Sequence, residues 1–255
     1  MLKTFCRFIP AGAICALVLS GCGGSSYASS SSSIPPSAGN AQVRFVDGAP
    51  SLETLVNGVP TDIGAAYLRV DGQTVTYTFS YGSITNFMPL SAGVHAMRAL
   101  DTAGYFVGPL KTPSLKAGTN YTLVVVGSYP TYDVLTFEEP KNASEAQLSL
   151  YEASPTVPDA DFGRFTASSQ SGFSKLGSAH LGTVATVSVG QSVSDFGGYV
   201  GHGTTPLSNG ALTLAHVDAF DNKNVLPFHN ASRLSLFVFD PKVGANGPVF
   251  GSMDP

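Results

Sequence analysis

The chain has 255 residues, of which 12% are charged, and a formal net charge of −4 at neutral pH. Its 13 lysines and arginines face 17 carboxylates and form no basic cluster, so we expect no nucleic acid partner. The chain is long enough to form two small hydrophobic cores of ordinary size.

The first 21 residues predict a secretory signal peptide. Lys3 and Arg7 precede an apolar run over residues 8–19, and small residues follow that run. A signal peptide has basic residues first, then an apolar run, and then small residues before the cleavage site. The run is also shorter than the roughly 20 apolar residues that a transmembrane helix needs. We therefore predict a signal peptide over residues 1–21 rather than a retained membrane span.

The end of that segment, Leu-Ser-Gly-Cys at residues 19–22, resembles a bacterial lipoprotein signal. The resemblance implies cleavage between Gly21 and Cys22 and a lipid on the Cys22 thiol, which makes the membrane the expected partner. Two or more acyl chains anchor a protein stably, whereas one chain binds only marginally. Gly23 follows in place of an aspartate, which implies the outer membrane if the cell is Gram-negative. We thus expect a lipid-anchored protein of the cell envelope.

Removal of the signal peptide would leave Cys22 as the last cysteine, because Cys6 and Cys15 lie before it. An intrachain disulfide and a thiolate zinc site are then excluded. Removal also takes Lys3 and Arg7 and no acid, which leaves 11 cations against 17 carboxylates and a formal charge of −6. The fold must therefore be held by hydrophobic cores and strand pairing.

Residues 22–40 predict a disordered tether. This segment is rich in serine and glycine and contains two adjacent prolines. Such a composition cannot bury enough apolar surface to fold. We expect it to hold the folded part of the chain away from the bilayer.

The remaining chain predicts strands. Residues 74–80 alternate apolar and hydroxyl side chains, which predicts Val75, Tyr77 and Phe79 on one face of a half-buried strand. No window shows the 3.6-residue apolar stripe of an amphipathic helix.

Two further signals set the strand order. Asp71-Gly72 before this strand predicts a tight hairpin turn, because such turns need positive φ. Residues 121–126 form an apolar run, broken only by Thr122 and bounded by Gly118 and Gly127, which predicts a central strand.

Three segments recur in the same order along the chain, which predicts two copies of one unit. Residues 41–50 are echoed at 146–155, 81–85 at 181–185, and 121–125 at 233–237. Many short strands in units of about 100 residues favour an all-β fold of two tandem immunoglobulin-like β-sandwich domains. We place these domains at residues 41–140 and 146–255.

The opening strand of each copy also resembles a known family. Residues 43–50 read VRFVDGAP and residues 148–155 read LSLYEASP, similar to the first strand of the bacterial domain-of-unknown-function family 4397. The resemblance covers most of 41–139 and, more loosely, 146–240. It implies an exported, often lipid-anchored, tandem β-sandwich protein with no assigned catalytic residue. Asp47 and Glu152 stand where the family usually has a histidine.

Residues with catalytic or metal-binding chemistry are few. No nucleophile elbow, zinc-protease or P-loop motif is present. The carboxylates of Asp159 and Asp161 are expected to be solvated in a loop rather than to bind calcium. The five histidines lack metal-ligand spacing, so we expect no catalytic residue, no metal and no cofactor.

Three functions remain open. The leading hypothesis is a non-enzymatic binding or structural module of the cell envelope, with an envelope protein or a glycan as partner. The second is a carbohydrate- or polymer-binding accessory protein at the surface, for which the rings of Tyr105, Phe106, Tyr129 and Tyr132 near turns are candidate contacts. The third is a hydrolase in the second domain, built around His180, His202 or His216.

Overall fold

The computed structural model describes residues 39–140, 145–157, 159–165, 173–189, 195–200, 233–242 and 249–254. Across these ranges the chain is all-β and contains no helix. Accordingly, this part of the chain has no helix that could cross a membrane. The predicted signal peptide, Gly21 and Cys22 lie outside the described residues, as does nearly all of the predicted tether.

The N-terminal half (residues 39–140) forms two four-stranded sheets and a separate hairpin. Its strands are β1 (Asn40–Asp47), β2 (Glu53–Val56), β3 (Val59–Asp62), β4 (Ala66–Val70), β5 (Gln73–Phe79), β6 (Met88–Ser91), β7 (Ala96–Leu100), β8 (Phe106–Lys111), β9 (Asn120–Ser128) and β10 (Thr131–Glu138). The sheet orders are β10-β9-β1-β6 and β5-β4-β7-β8, and β2 pairs with β3. The central strand predicted at residues 121–126 is confirmed as part of β9.

The C-terminal half (residues 145–254) forms a four-stranded and a three-stranded sheet. Its strands are β11 (Gln147–Glu152), β12 (Asp159–Phe165), β13 (Phe173–His180), β14 (Val184–Ser188), β15 (Asp195–Val200), β16 (Arg233–Val238) and β17 (Val249–Asp254). The sheet orders are β14-β11-β16-β17 and β13-β12-β15.

β1 and β11 occupy equivalent places in their sheets. β1 pairs in parallel with β9 and antiparallel with β6, and β11 pairs in parallel with β16 and antiparallel with β14. The last residues of β1 and β11 also form the same backbone hydrogen bonds, each with one equivalent loop. The amides of Asp47 and Glu152 donate to the carbonyls of Ser83 and Thr183, and the amides of Gly82 and Gly182 donate back to Asp47 and Glu152.

Three hydrophobic cores lie between successive sheets. One is shared by the two N-terminal sheets, a second by the two C-terminal sheets, and a third joins β1, β9 and β10 to β11, β16 and β17. Because Phe45 of β1 enters the first core and Val46 the third, β1 is buried on both faces. Leu150 enters the second core and Tyr151 the third, so β11 is also buried on both faces. The four sheets are therefore stacked, and the sequence did not predict the third core.

The β4–β5 hairpin bears out one prediction and contradicts another. Asp71 and Gly72 have φ values of 48° and 81°, which confirms the predicted tight turn. Phe79 is fully buried, whereas Tyr77 is 71% exposed, so the prediction that they share a face is wrong. The register between β4 and β5 shifts on either side of Leu68, and such a bulge turns a side chain to the other face.

Candidate functional site

A buried ion network lies between the two central sheets. Arg44 on β1 has a side-chain exposure of 1%, and its Nη2 lies 3.2 Å from Oε1 of Glu139. Nη1 of Arg233, at the start of β16, lies 3.1 Å from the other oxygen of the same carboxylate. One carboxylate thus bridges two guanidinium groups and joins the two halves. Losing one member of such a group leaves an uncompensated buried charge.

Further contacts fix Arg44 in this layer. Its Nε donates to Oγ1 of Thr122 at 2.6 Å, and its Nη2 donates to Oγ of Ser235 at 3.2 Å. The guanidinium carbon lies 4.8 Å from the ring centroid of Phe87 and 5.2 Å from that of Phe237. Arg44 therefore serves the packing of the two central sheets.

Two buried carboxyl groups stand at the carboxyl ends of β1 and β11. Asp47 and Glu152 both have no exposed surface. Oδ1 of Asp47 accepts a hydrogen bond from the amide of Ala49 at 3.0 Å, and Oε1 of Glu152 accepts one from the amide of Ser154 at 2.9 Å. The second oxygen of each has no hydrogen-bond partner among the described residues.

Burial disfavours the charged form of both groups. It raises the pKa of Asp47 to about 7, against a smaller lowering by the Ala49 amide and by Lys242. It raises the pKa of Glu152 to about 8, against a smaller lowering by the Ser154 amide. A raised carboxyl pKa is typical of a general acid, but such an acid must also touch its substrate. Without exposed surface, these two groups hold the turns after their strands.

The histidines proposed for a hydrolase are placed only in part. His180, at the end of β13, has a side chain that is 70% exposed, and its Nδ1 contacts a carboxylate oxygen of Asp159. His202 and His216 lie outside the described residues. The described part of the chain contains no group of three or more His, Cys, Asp or Glu side chains that could hold a metal ion.

Asp161 differs from the expected solvated carboxylate. It lies within β12 and has no exposed surface. Its Oδ1 accepts from Oγ of Ser178 at 2.7 Å and lies 2.8 Å from Nζ of Lys175. The prediction for this residue is wrong, because strand pairing carries it into the interior, where a carboxylate requires partners.

The exposed face of the sheet β5-β4-β7-β8, which we call the outer face, has a different character. Successive residues of a strand point to opposite faces. Leu68 and Met97 enter the first core, and the residues next to them point outward. The outer face is defined by Tyr67, Arg69, Tyr77, Arg98, Phe106 and Lys111.

Two arginines of the outer face lie directly opposite each other. Arg69 on β4 is the register partner of Arg98 on β7. In the described ranges neither guanidinium forms an ion pair with an acid. Like charges at directly opposed positions of a sheet destabilise it. The arrangement therefore favours an anion placed between them.

The acids at the edges of the outer face are already engaged. The Oδ2 of Asp71 lies 2.6 Å from Nδ1 of buried His95, and its Oδ1 accepts from the amide of Ala96 at 2.9 Å. These contacts, the His95 hydrogen bond first, lower the pKa of Asp71. Oδ1 of Asp101 accepts from the amide of Tyr105 at 2.8 Å. Both carboxylates are therefore held by partners other than the arginine pair.

Aromatic rings border the arginine pair. The centroids of Tyr67 and Tyr77 are 5.5 Å apart with an interplanar angle of 79°, an edge-to-face contact. The guanidinium carbon of Arg98 lies 4.9 Å from the ring centroid of Phe106. Tyr105 and Phe106 are 38% and 39% exposed, as expected for residues near a turn. A shallow pocket at the arginine pair is also lined by Asp71, Gly72, Ala96 and Leu100.

The sequence alone did not single out the outer face. Arg69 and Arg98 each stand between two buried apolar residues, which marks them as outward-pointing residues of a strand. That the two face each other depends on the pairing of β4 with β7, which no local pattern specifies. Tyr77 joined the face through a bulge that strict alternation does not predict.

The structure thus defines an all-β protein of stacked sheets with an exposed face of arginine and aromatic side chains. A family model described as "Domain of unknown function (DUF4397)" matches residues 54–163. A DUF4397 domain is therefore found in this chain, over a range that includes every strand of the outer face. The match begins after β1 and ends in β12, whereas the resemblance noted from the sequence began at the first strand. A search of the curated proteins finds no match.

Proposed function

We propose that this protein is a non-enzymatic, lipid-anchored binding module of the cell envelope that presents the outer face to a partner. One observation carries the binding role: Arg69 and Arg98 face each other on an exposed sheet, and neither forms an ion pair with an acid among the described residues. The buried arginines, in contrast, share a carboxylate. A like-charge pair that weakens the sheet is consistent with a role outside folding.

We also propose that the two halves are tandem immunoglobulin-like β-sandwich domains. The equivalent pairings of β1 and β11, and the repeated hydrogen bonds of Asp47 and Glu152, support this interpretation. So do the three sequence echoes, since Gly82 and Gly182 fall at matching places. On this view the duplication supplies a stable body, and the N-terminal copy carries the binding face.

The anchor rests on the resemblance at residues 19–22 and is tested separately. Cells expressing the full chain are labelled with radioactive palmitate, and wild type is compared with Cys22→Ser. Wild type is expected to incorporate label and Cys22→Ser to lose it. Cys6→Ser, which removes a cysteine of the predicted signal peptide, serves as control and is expected to keep the label. Unchanged labelling of Cys22→Ser would refute the anchor.

The binding role is tested by co-sedimentation with purified cell envelopes. The full chain, held in a non-ionic detergent, is mixed with envelopes purified from cells in which the gene for this protein is deleted. Because the detergent holds the acyl chains of the anchor in both proteins, sedimentation reports the outer face: wild type is expected to sediment with the envelopes, and the double variant R69E/R98E is expected to stay in the supernatant. Lys116→Glu reverses a cation that is 76% exposed and lies away from the outer face, so it should sediment as wild type does. Equal sedimentation of wild type and R69E/R98E would contradict the proposal.

A further inference from the structure

The residues of the outer face form two adjacent rows that run across the strands. Tyr67 is paired with Leu100, and Leu100 with Phe106, so that two rings flank an aliphatic side chain across β4, β7 and β8. Tyr77 extends this row onto β5 through its contact with Tyr67. The aromatic row therefore spans the whole sheet, roughly 15 Å at a strand spacing of about 4.8 Å.

The second row contains the charges. Arg69 follows Tyr67 by two residues on β4, and Arg98 precedes Leu100 by two on β7. A two-residue step along a strand is roughly 7 Å. Arg69 is also paired with Thr74 of β5, which adds a hydroxyl to the row. The cations thus lie one short step from the rings, within reach of a single ligand.

We propose that the outer face binds an acidic polysaccharide, with a sugar carboxylate between Arg69 and Arg98 and neighbouring sugar rings against Tyr77 and Phe106. This inference rests on the binding role proposed above and names the partner class. Guanidinium groups suit carboxylates because the planar fork can donate two parallel hydrogen bonds. An anion between the two arginines also removes the like-charge repulsion.

The rings provide the second part of the recognition. Tyr77 is 71% exposed and Phe106 39%, so both present apolar surface to solvent. Exposed aromatic rings are favourable contacts for groups with an apolar body and polar edges, which is the character of a sugar ring. A flat row of rings suits an extended polymer, whereas a small molecule is usually held in a concave pocket.

Other anionic partners fit the face less well. Recognition of an anionic membrane surface typically uses clusters of four to eight lysines or arginines, and this face has three cations, Arg69, Arg98 and Lys111. Attraction to nucleic acid increases with positive charge, and the chain carries a net charge of −4. A few cations beside aromatic rings favour a polymer with spaced negative charges.

The test measures affinity for defined polymers and vesicles. The full chain in non-ionic detergent is titrated with polygalacturonate, neutral dextran and dextran sulfate, and its flotation with phosphatidylglycerol vesicles is measured. Wild type is expected to bind polygalacturonate at least tenfold more tightly than dextran or dextran sulfate. Flotation with vesicles, which the predicted lipid on Cys22 would itself cause, is expected to be the same for wild type and R69Q/R98Q. The affinity should fall with rising salt, because charged contacts are screened.

Variants locate the binding on the outer face. R69Q/R98Q is expected to lose at least tenfold in affinity for polygalacturonate, and Tyr77→Ala about fivefold. Lys116→Gln, the control, should bind as wild type does. Far-ultraviolet circular dichroism and thermal unfolding of each variant separate a binding defect from a folding defect.

Each other result overturns this inference, and the envelope experiment separates it from the proposed function. Equal binding of neutral dextran, tighter binding of dextran sulfate, or flotation with vesicles that R69Q/R98Q loses would exclude a carboxylated polysaccharide as the partner. If wild type does not bind polygalacturonate but R69E/R98E still fails to sediment with the envelopes, the proposed partner class is wrong and the binding role is unaffected. Absent binding in both experiments would overturn both.

Discussion

The two arginine pairs of this protein differ in what surrounds them. Arg44 and Arg233 are buried between the central sheets and share the carboxylate of Glu139. Arg69 and Arg98 are exposed, face each other across β4 and β7, and form no ion pair with an acid in the described part of the chain. A buried charge must be paired because its desolvation is costly. An exposed charge is hydrated, so its placement can follow binding rather than folding.

This contrast separates the molecule into a scaffold and a surface. The central layer combines the ion network with stacked rings, such as Tyr151 and Phe237 at 4.6 Å between centroids. The outer face also has aromatic rings and cations, but these are exposed to solvent. Substitutions in the central layer should change stability, and substitutions on the outer face should change binding.

The largest expected effect comes from the shared carboxylate. Glu139→Gln leaves two buried guanidinium groups without their anion, which should lower the free energy of unfolding by about 3–5 kcal/mol. Denaturant unfolding of the full chain in detergent measures this. Glu138→Gln, whose side chain is 59% exposed, is the matched control and should change stability by less than about 1 kcal/mol. A loss below about 1 kcal/mol for Glu139→Gln would show that the network does not hold the halves together.

The buried carboxyls should make stability depend on pH. The folded protein keeps a proton on Asp47 up to about pH 7 and on Glu152 up to about pH 8, whereas the unfolded chain releases both near pH 4. The unfolded state therefore binds fewer protons in this window, and the free energy of unfolding falls as pH rises from about 4 to about 8. Above that range the contribution is constant.

Asp47→Asn removes one of these titrations. Relative to wild type, it should gain roughly 2–4 kcal/mol of stability between pH 4 and pH 8, since one pKa unit corresponds to about 1.4 kcal/mol. Thermal unfolding across this pH range measures the difference. Glu152→Gln should behave alike, because the two groups occupy equivalent places. A pH-independent difference between Asp47→Asn and wild type would contradict the buried, protonated state.

A pair of glycines tests the stacking of the two halves. Gly82 and Gly182 have φ values of 80° and 76°, so alanine is strained at both. A Cβ on Gly82 would collide with the ring of Phe250 on β17, whereas a Cβ on Gly182 would meet nothing within 4 Å. Gly82→Ala should therefore cost about 1–3 kcal/mol more than Gly182→Ala in denaturant unfolding. Equal losses would place Phe250 away from Gly82.

The smallest effect is a gain. Arg69→Gln removes one of two directly opposed like charges and should raise the free energy of unfolding by about 0.2–1 kcal/mol at low salt. The gain should shrink at high salt, because screening already weakens the repulsion. Lys116→Gln, which removes an exposed cation beside Glu138, should give no such gain. A loss of stability in Arg69→Gln would mean that this guanidinium supports the fold.

Local patterns in the sequence predicted much of the fold. The Asp71-Gly72 turn was predictable because positive φ is needed there. Strand β9 was predictable because a mostly apolar run is typical of a strand buried on both faces. The echoes of β1 in β11 also fall on strands with equivalent pairing. These features depend on near neighbours in the chain.

The layer between the halves and the outer face depend on distant pairings. Arg44 alternates with the core residues Val43 and Phe45, so it reads as an outward-facing residue, and only the second sheet buries it. The opposition of Arg69 and Arg98 follows from the register of β4 and β7. A bulge in the pairing of β4 with β5 places Tyr77 on the face opposite to the predicted one. A single sequence contains no local signal for these three features.

The central claim is that the outer arginines serve binding and not folding, and one paired measurement tests it most directly. The unfolding free energy and the envelope binding of R69Q/R98Q are measured on the same preparation in detergent. The expected result is stability equal to wild type or higher by up to about 1 kcal/mol, with envelope binding reduced at least tenfold. Stability reduced by about 2 kcal/mol or more, or binding equal to wild type, would contradict the claim.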